Sequence, residues 1–265
     1  MTPPTLGDLE IIDLSVALEH QAPGELMPPR IEYVTHGEGG ATAVQRAFGC
    51  TAEDLVYSGG QGWAVEELVT SSHTGTHVDA PYHYGATSGG RPARRIDEVP
   101  LEWCFGPGVV LDFRAKKDGE LIDTGDLERE LERIGHRLRP LDIVLLHTGA
   151  AKRWGTKEYL RQPGLGREST LWLVDQGVKV IGIDAWTLDR PFDAMRADFA
   201  ATGDGRVLWP AHFAGMTSEY CQIEKLANLE TLPRPHGFWV SCLPVKIKGA
   251  SAGWCRAVAL VPRSA

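Results

Sequence analysis

The stretch Ser72-His73-Thr74-Gly75-Thr76-His77-Val78-Asp79-Ala80-Pro81-Tyr82-His83-Tyr84 holds three of the chain's nine histidines and a carboxylate. His73, His77, Asp79 and His83 are all odd-numbered, so an extended backbone would carry them on one face. A straight strand nonetheless fails to gather them. At about 3.3 Å per residue, His73 and His77 would stand roughly 13 Å apart, whereas imidazoles that share an ion must each approach it to about 2.0–2.1 Å. The chain therefore has to bend. Gly75 allows a backbone turn that other residues resist, and Pro81 ends any ladder before His83. A helix would also juxtapose positions four apart, but Gly75, Val78, Pro81 and the two threonines oppose one. The spacing predicts a kinked strand-to-loop segment in which His77 and Asp79 are neighbours on one face and His73 folds back.

Such a cluster is either a polar turn of ordinary surface and core histidines or a metal site. Holding imidazoles and a carboxylate together in a protein interior is costly without an ion to compensate them, which favours the metal. His73, His77 and Asp79 are the candidate ligands. Imidazoles with a carboxylate suit Zn2+ or Mn2+, and further carboxylates tilt the choice toward manganese or a second zinc. A divalent ion there would lower the pKa of bound water to about 7 and make it a nucleophile at neutral pH. His83 lies beyond Pro81, which can aim its ring across the metal rather than at it. An unperturbed imidazole titrates near about 6.5, the range that general acid–base work requires.

Composition fits a soluble enzyme. With 265 residues, 43% hydrophobic and 23% charged, the chain is long enough for one large core, and a single domain is expected. A net charge of -8, with no basic stripe, argues against nucleic acid or an anionic membrane as partner. Cys50, Cys104, Cys221, Cys242 and Cys255 are odd in number and contain no C-x-x-C pair, so neither a disulfide framework nor a thiolate zinc site is expected. The first residues carry neither the basic start nor the apolar run of a signal peptide, and no apolar run reaches membrane-spanning length. A cytoplasmic location is expected.

Outward from the histidine segment, Leu9–Leu18 reads as a first strand, with Asp13 open to a turn or a site role. The region 20–62 is rich in Gly, Pro and polar residues without a strong period, and reads as loop and short strand. Long loops in compact domains are commonly lids, so 20–62 is expected to be an extended arm or lid. Phe48, Tyr57 and Trp63 are then candidate aromatic walls for a substrate, or equally a hydrophobic seam or dimer contact. Trp63–Thr70 reads as a strand leading into the histidine segment. Gly108–Phe113, Asp142–Thr148 and Val178–Trp186 are apolar runs of strand length. A helix is expected over 124–138, from Leu127, Leu131, Ile134 and Leu138 with Thr124 as N-cap, and another over 168–176. This alternation predicts an α/β core with some parallel pairing. Segments 237–247 and 254–261 predict an antiparallel pair. His147 reads as structural, and Asp184 as a ligand contact or a strand terminator.

The motif His73-x-Gly75-Thr76-His77-x-Asp79-x-Pro81-x-His83 is that of the metal-dependent "putative cyclase" family, which includes bacterial kynurenine formamidase and isatin hydrolase. The chain resembles that family in Asp13-Leu14-Ser15 as well. It does so again in Ile223-Glu224-Lys225-Leu226-Ala227-Asn228-Leu229, which follows His212 at the family's spacing, and in the segment Lys246–Arg256. The resemblance implies a swivelling β/β/α fold with a small barrel-like mixed sheet. It also implies that His212 and Glu224 complete the metal site, with Gln222 a lesser alternative to Glu224, and that His83 donates and accepts the proton. It implies a homodimer and a small aromatic or cyclic substrate. Two activities follow from it. One is hydrolysis of a cyclic or aryl amide, as in isatin to isatinate or in an arylformamidase; the other is a polyketide cyclase or dehydratase using the metal as Lewis acid. A non-enzymatic metal protein is disfavoured, because a closed structural shell leaves no work for His83.

Overall fold

The structure is a computed structural model and describes residues 6–263. Two compact units are distinguished: Glu19–Ser71, and the remainder of the described chain.

The larger unit is built on one nine-stranded mixed sheet. Its strands in chain order are β1 (Leu9–Asp13), β2 (His77–Asp79), β3 (Phe105–Asp112), β4 (Ile143–His147), β5 (Val180–Ile183), β6 (Cys221–Glu224), β7 (His236–Ser241), β8 (Ala252–Trp254) and β9 (Val258–Pro262). Their order across the sheet is β1-β9-β7-β3-β4-β5-β6-β2-β8. The central run β3-β4-β5-β6 is parallel. Antiparallel strands flank it on both sides, β7, β9 and β1 beyond β3 and β2 and β8 beyond β6. The architecture is thus α/β with a curled mixed sheet, as the motif resemblance implied.

Period-two alternation in the parallel strands feeds two cores. Val109 and Leu111 of β3, Val144 and Leu146 of β4, and Ile181 and Ile183 of β5 face one cluster. Val110, Ile143, Leu145 and Val180 face the other, with Leu14, Val78, Phe238 and Val240. All five residues of β4 are buried. A strand buried on both faces reads as an unbroken apolar run, which is why it was legible without alternation. Each such aliphatic side chain contributes about 1.5–3 kcal/mol.

The connections between parallel strands carry helices. Helix Thr124–Arg133 lies between β3 and β4, and Arg167–Asp175 between β4 and β5. The first is shorter than its apolar spacing predicts. Its N-cap is Asp123, whose carboxylate accepts the Asp126 N–H at 2.8 Å, and Gly135 at φ 65° follows its end. Leu138 is buried without being helical. Between β5 and β6 the chain forms Phe192–Thr202 and Pro210–Ala214, neither of which the sequence reading anticipated. The C-terminal apolar run also divides: β7 pairs with β9 as expected, but Ala252–Trp254 leaves that pair to join β2. Asp184 ends β5 as a structural group, accepting from Thr148 N, Thr148 Oγ1 and Gly149 N at 2.6–2.7 Å. His147 is buried beside it, with Nε2 4.0 Å from Asp184 Oδ2.

Within Glu19–Ser71, strands Arg30–Val34 and Val65–Val69 form an antiparallel ribbon. The expected strand near 63–70 is present, but it pairs here and not in the main sheet. Helix Glu38–Phe48 replaces the loop expected in this region. Its glycines masked it. A Cβ at Gly40 would lie 2.0 Å from the Trp63 carbonyl oxygen, so Gly40 serves close backbone approach, not a turn. No helix among the described residues is long and apolar enough to cross a membrane, and the five cysteines are free thiols.

Candidate metal centre

The bend demanded by the histidine spacing occurs at Gly75, which adopts φ 64°, a conformation open chiefly to glycine. Beyond it β2 is only three residues long, and Pro81 starts the one-turn helix Pro81–Tyr84 that carries His83. His73 folds back so that its Nδ1 lies 2.8 Å from Asp79 Oδ1, while its Nε2 meets Ser251 Oγ at 3.0 Å.

Register in the sheet supplies the second half of the site. β6 runs antiparallel to β2 with Glu224 opposite His77 and Gln222 opposite Asp79. His77 Nε2 consequently sits 3.3 Å from Asp79 Oδ1 and 3.6 Å from Glu224 Oε2. His77 Nδ1 is 2.8 Å from the Gly75 carbonyl oxygen, an acceptor only, so this nitrogen carries the proton and Nε2 offers its lone pair to the cluster. His212 enters from the short helix Pro210–Ala214, with Nε2 3.8 Å from Glu224 Oε1 and 3.9 Å from Asp79 Oδ2.

Two triplets in this cluster have ligand atoms close enough together for a cation: His73, Asp79 and His83, and His77, Asp79 and Glu224. Asp79 belongs to both. His77 Nε2 and Asp79 Oδ2 are buried without a hydrogen-bond partner. Buried polar atoms of this kind are rare without a compensating group, and imidazole nitrogen with carboxylate oxygen is a donor set for a divalent transition metal. The residues present therefore fit a divalent ion.

Electrostatics follow from burial and proximity. Burial opposes ionisation of Asp79, yet the imidazoles of His83, His77 and His73 hold its carboxyl well below the usual range. Burial and the Asp79 charge push Glu224 up. His83 makes close ring contacts, 4.2 Å from His73 and 5.3 Å from His212 between centroids. Burial outweighs its attraction to Asp79 and lowers it to about 4, so the imidazole is neutral at neutral pH. Gln222, on the same face as Glu224, donates through Nε2 to the Tyr220 hydroxyl at 2.6 Å, while its buried Oε1, the atom that could reach a metal, has no hydrogen-bond partner among the described residues.

Three residues that the sequence reading did not single out shape the site. Asp189 is fully buried and accepts from Ala211 N, His212 N and His212 Nδ1. Trp209 stacks on the His212 ring at 4.5 Å and 26°, in a left-handed backbone conformation at φ 53°. Lys225 is buried beside Glu224, and its Nζ donates to the His73 carbonyl at 2.8 Å. The Trp209-Pro210 step before His212 was a local signal; Asp189 left none, because only the fold brings it to His212. Phe48 and Tyr57 are strongly exposed and Trp63 is 43% exposed; all three belong to the unit Glu19–Ser71.

A family model described as "Putative cyclase" matches residues 12–190. The chain is 30% identical over 198 residues to the kynurenine formamidase of Salinibacter ruber, covering 72% of this chain and 77% of that protein. Among solved structures, isatin hydrolase A from Labrenzia aggregata, bound to benzyl benzoate, aligns with a TM-score of 0.73 at 24% identity, over 97% of this chain and 95% of the other. Isatin hydrolase A from Ralstonia solanacearum aligns with a TM-score of 0.75 at 24% identity, over 98% and 99%. At that identity the structural likeness speaks for the fold.

Proposed function

This chain belongs to the family described as "Putative cyclase", and from that premise we propose that it is a metal-dependent hydrolase opening a cyclic or aryl amide. The observation that carries this is the convergence on Asp79 of two possible ligand triplets, beside a half-buried neutral His83. The names of its relatives, a formamidase and isatin hydrolases, support an amide as substrate. The proposed ligands are His73, His77, Asp79, His212 and Glu224, holding one or two ions of Mn2+ or Zn2+.

When bound, such an ion supplies Lewis acidity that polarises a carbonyl and makes water nucleophilic near neutral pH. The chain's own residues do the rest. The Gly75 carbonyl keeps the proton of His77 on Nδ1, and Asp189 does the same for His212, so both Nε2 atoms present lone pairs inward. His83 takes a proton from water on its neutral ring and returns it to the departing nitrogen. The Trp209 indole walls the His212 side of the cluster. We further assign to 20–62 a lid role, with Phe48, Tyr57 and Trp63 stacking an aromatic substrate, and to the chain a homodimeric state.

A turnover screen with added Mn2+ or Zn2+ against isatin, N-formylkynurenine and simple lactones tests this. Ring opening of isatin selects the isatin-hydrolase activity, and loss of formate from N-formylkynurenine the arylformamidase activity. Full turnover by metal-stripped protein would defeat the proposal, and silence on all three substrates would favour the carbonyl-activating cyclase chemistry.

A further inference from the structure

A second concave site lies at the opposite end of the parallel strands. Lys179 immediately precedes β5 and Glu219 lies just before β6, whereas Glu224 sits at the carboxyl end of β6. Between them and the turn around Gly89 is a cavity of about 370 Å³ whose wall includes Ser88, Arg91, Arg94, Lys179, Thr217 and Glu219. We propose that this cavity binds a dianionic phosphoryl group, as inorganic phosphate or as the headgroup of a small organic phosphate.

The charge arrangement points to such a ligand. The Arg94 guanidinium and the Lys179 ammonium share one aromatic ring, at 5.5 Å and 5.4 Å from the Trp103 centroid. Each is drawn to the indole by its quadrupole, and each repels the other. Glu219 is the single carboxylate in the wall, and it is taken by Arg94 through a side-chain ion pair. Among the described residues Lys179 is left with one long hydrogen bond, Nζ to the Glu219 carbonyl oxygen at 3.3 Å. An ammonium has three donors, so two remain for a ligand. Burial and the neighbouring Arg94 both disfavour the charged form of Lys179, and its pKa is lowered accordingly. Holding a half-buried cation against another cation is costly unless an anion joins them.

Three cations thus face one carboxylate in a chain whose overall charge is -8, so the local excess is not a reflection of a basic surface. A dianion would compensate the two charges that Glu219 leaves over; a monocarboxylate would leave one. Neutral donors fit as well. Thr217 Oγ1 accepts from Arg167 Nη2 at 2.6 Å, which leaves its own proton free to point at an anion. Arg91 is exposed at the rim and makes no ion pair among the described residues, so its guanidinium is available to a phosphate oxygen.

Calorimetric titration of the purified full chain with inorganic phosphate, at slightly alkaline pH and constant ionic strength, tests the proposal, with acetate as comparison. The expected result is saturable phosphate binding and much weaker acetate binding. Lys179→Met keeps an unbranched stem against Trp103 but removes the charge, and Arg91→Gln changes only an exposed side chain. Each should weaken phosphate by roughly ten- to a hundred-fold, the loss of one charge-assisted contact. Absence of saturable binding would overturn the site. Affinity unchanged in both variants would do so too, because the phosphate would then be bound elsewhere, for example at a metal ion.

Discussion

Asp189 grips His212 at two points and its neighbour Ala211 at a third: its Oδ2 lies 2.5 Å from His212 Nδ1 and 3.1 Å from the His212 backbone nitrogen, and its Oδ1 accepts the Ala211 N–H at 2.8 Å. This fixes both the ring orientation and the tautomer that leaves Nε2 toward Asp79 and Glu224. Asp189→Asn presents an amide donor or a single acceptor where two carboxylate oxygens stood. Metal affinity should fall by about 10–100-fold, the usual cost of losing such an outer partner, while the circular dichroism spectrum holds. A metal titration with unchanged affinity would remove Asp189 from the site's support.

Asp79 is shared by both possible ligand triplets. Asp79→Ala should therefore abolish stoichiometric metal and activity together, read by elemental analysis of protein purified without added metal. Treating the parent protein with chelator should reproduce the loss of activity, and restoring Mn2+ or Zn2+ should reverse it in the parent only.

His83 is proposed as the proton carrier, although its ring also falls in a possible ligand triplet with His73 and Asp79. As a proton carrier its replacement by Ala keeps metal content near that of the parent and lowers turnover by roughly 10² to 10⁴, the contribution of a positioned acid–base group. Loss of metal along with activity would make His83 a ligand.

Trp63→Ala tests the aromatic wall. Affinity for an aromatic amide should fall while metal content stays constant, since the substituted residue is outside the candidate ligand set. An unchanged KM for the true substrate would exclude Trp63 from substrate binding. Sedimentation at low concentration tests the homodimer independently.

The start of helix Thr124–Arg133 gives a stability prediction. Asp123 and Asp126 exchange hydrogen bonds with each other's backbone N–H, at 2.8 and 3.0 Å. Asp123→Ala should cost about 0.5–2 kcal/mol in denaturant unfolding. Thr124→Ala should cost much less, contrary to what spacing alone would assign to Thr124 as cap.

Local chemistry was legible wherever a few consecutive residues sufficed to state it. The interval between His73 and His77 required a bend, Gly75 marked where, and Pro81 marked the end of the strand; the backbone conforms at each point. The buried strand Ile143–His147 announced itself by an unbroken apolar run. Helix Glu38–Phe48 did not, because Gly39 and Gly40 look like turn residues until the Trp63 carbonyl is seen pressing on Gly40.

His212 and Glu224 came from likeness to a family motif, since nothing in their own spacing points at His77. What only the tertiary structure decided is the register that sets Glu224 opposite His77 across β6 and β2, and the packing that brings Asp189 and Trp209 onto His212. The physical reason is range. Backbone conformation is governed by sterics between adjacent residues and can be read from short stretches, whereas strand register is set by which apolar faces bury together over the whole sheet. The same sheet keeps the candidate metal centre and the basic cavity at opposite ends of β6, a separation that nothing in the order of their residues along the chain discloses.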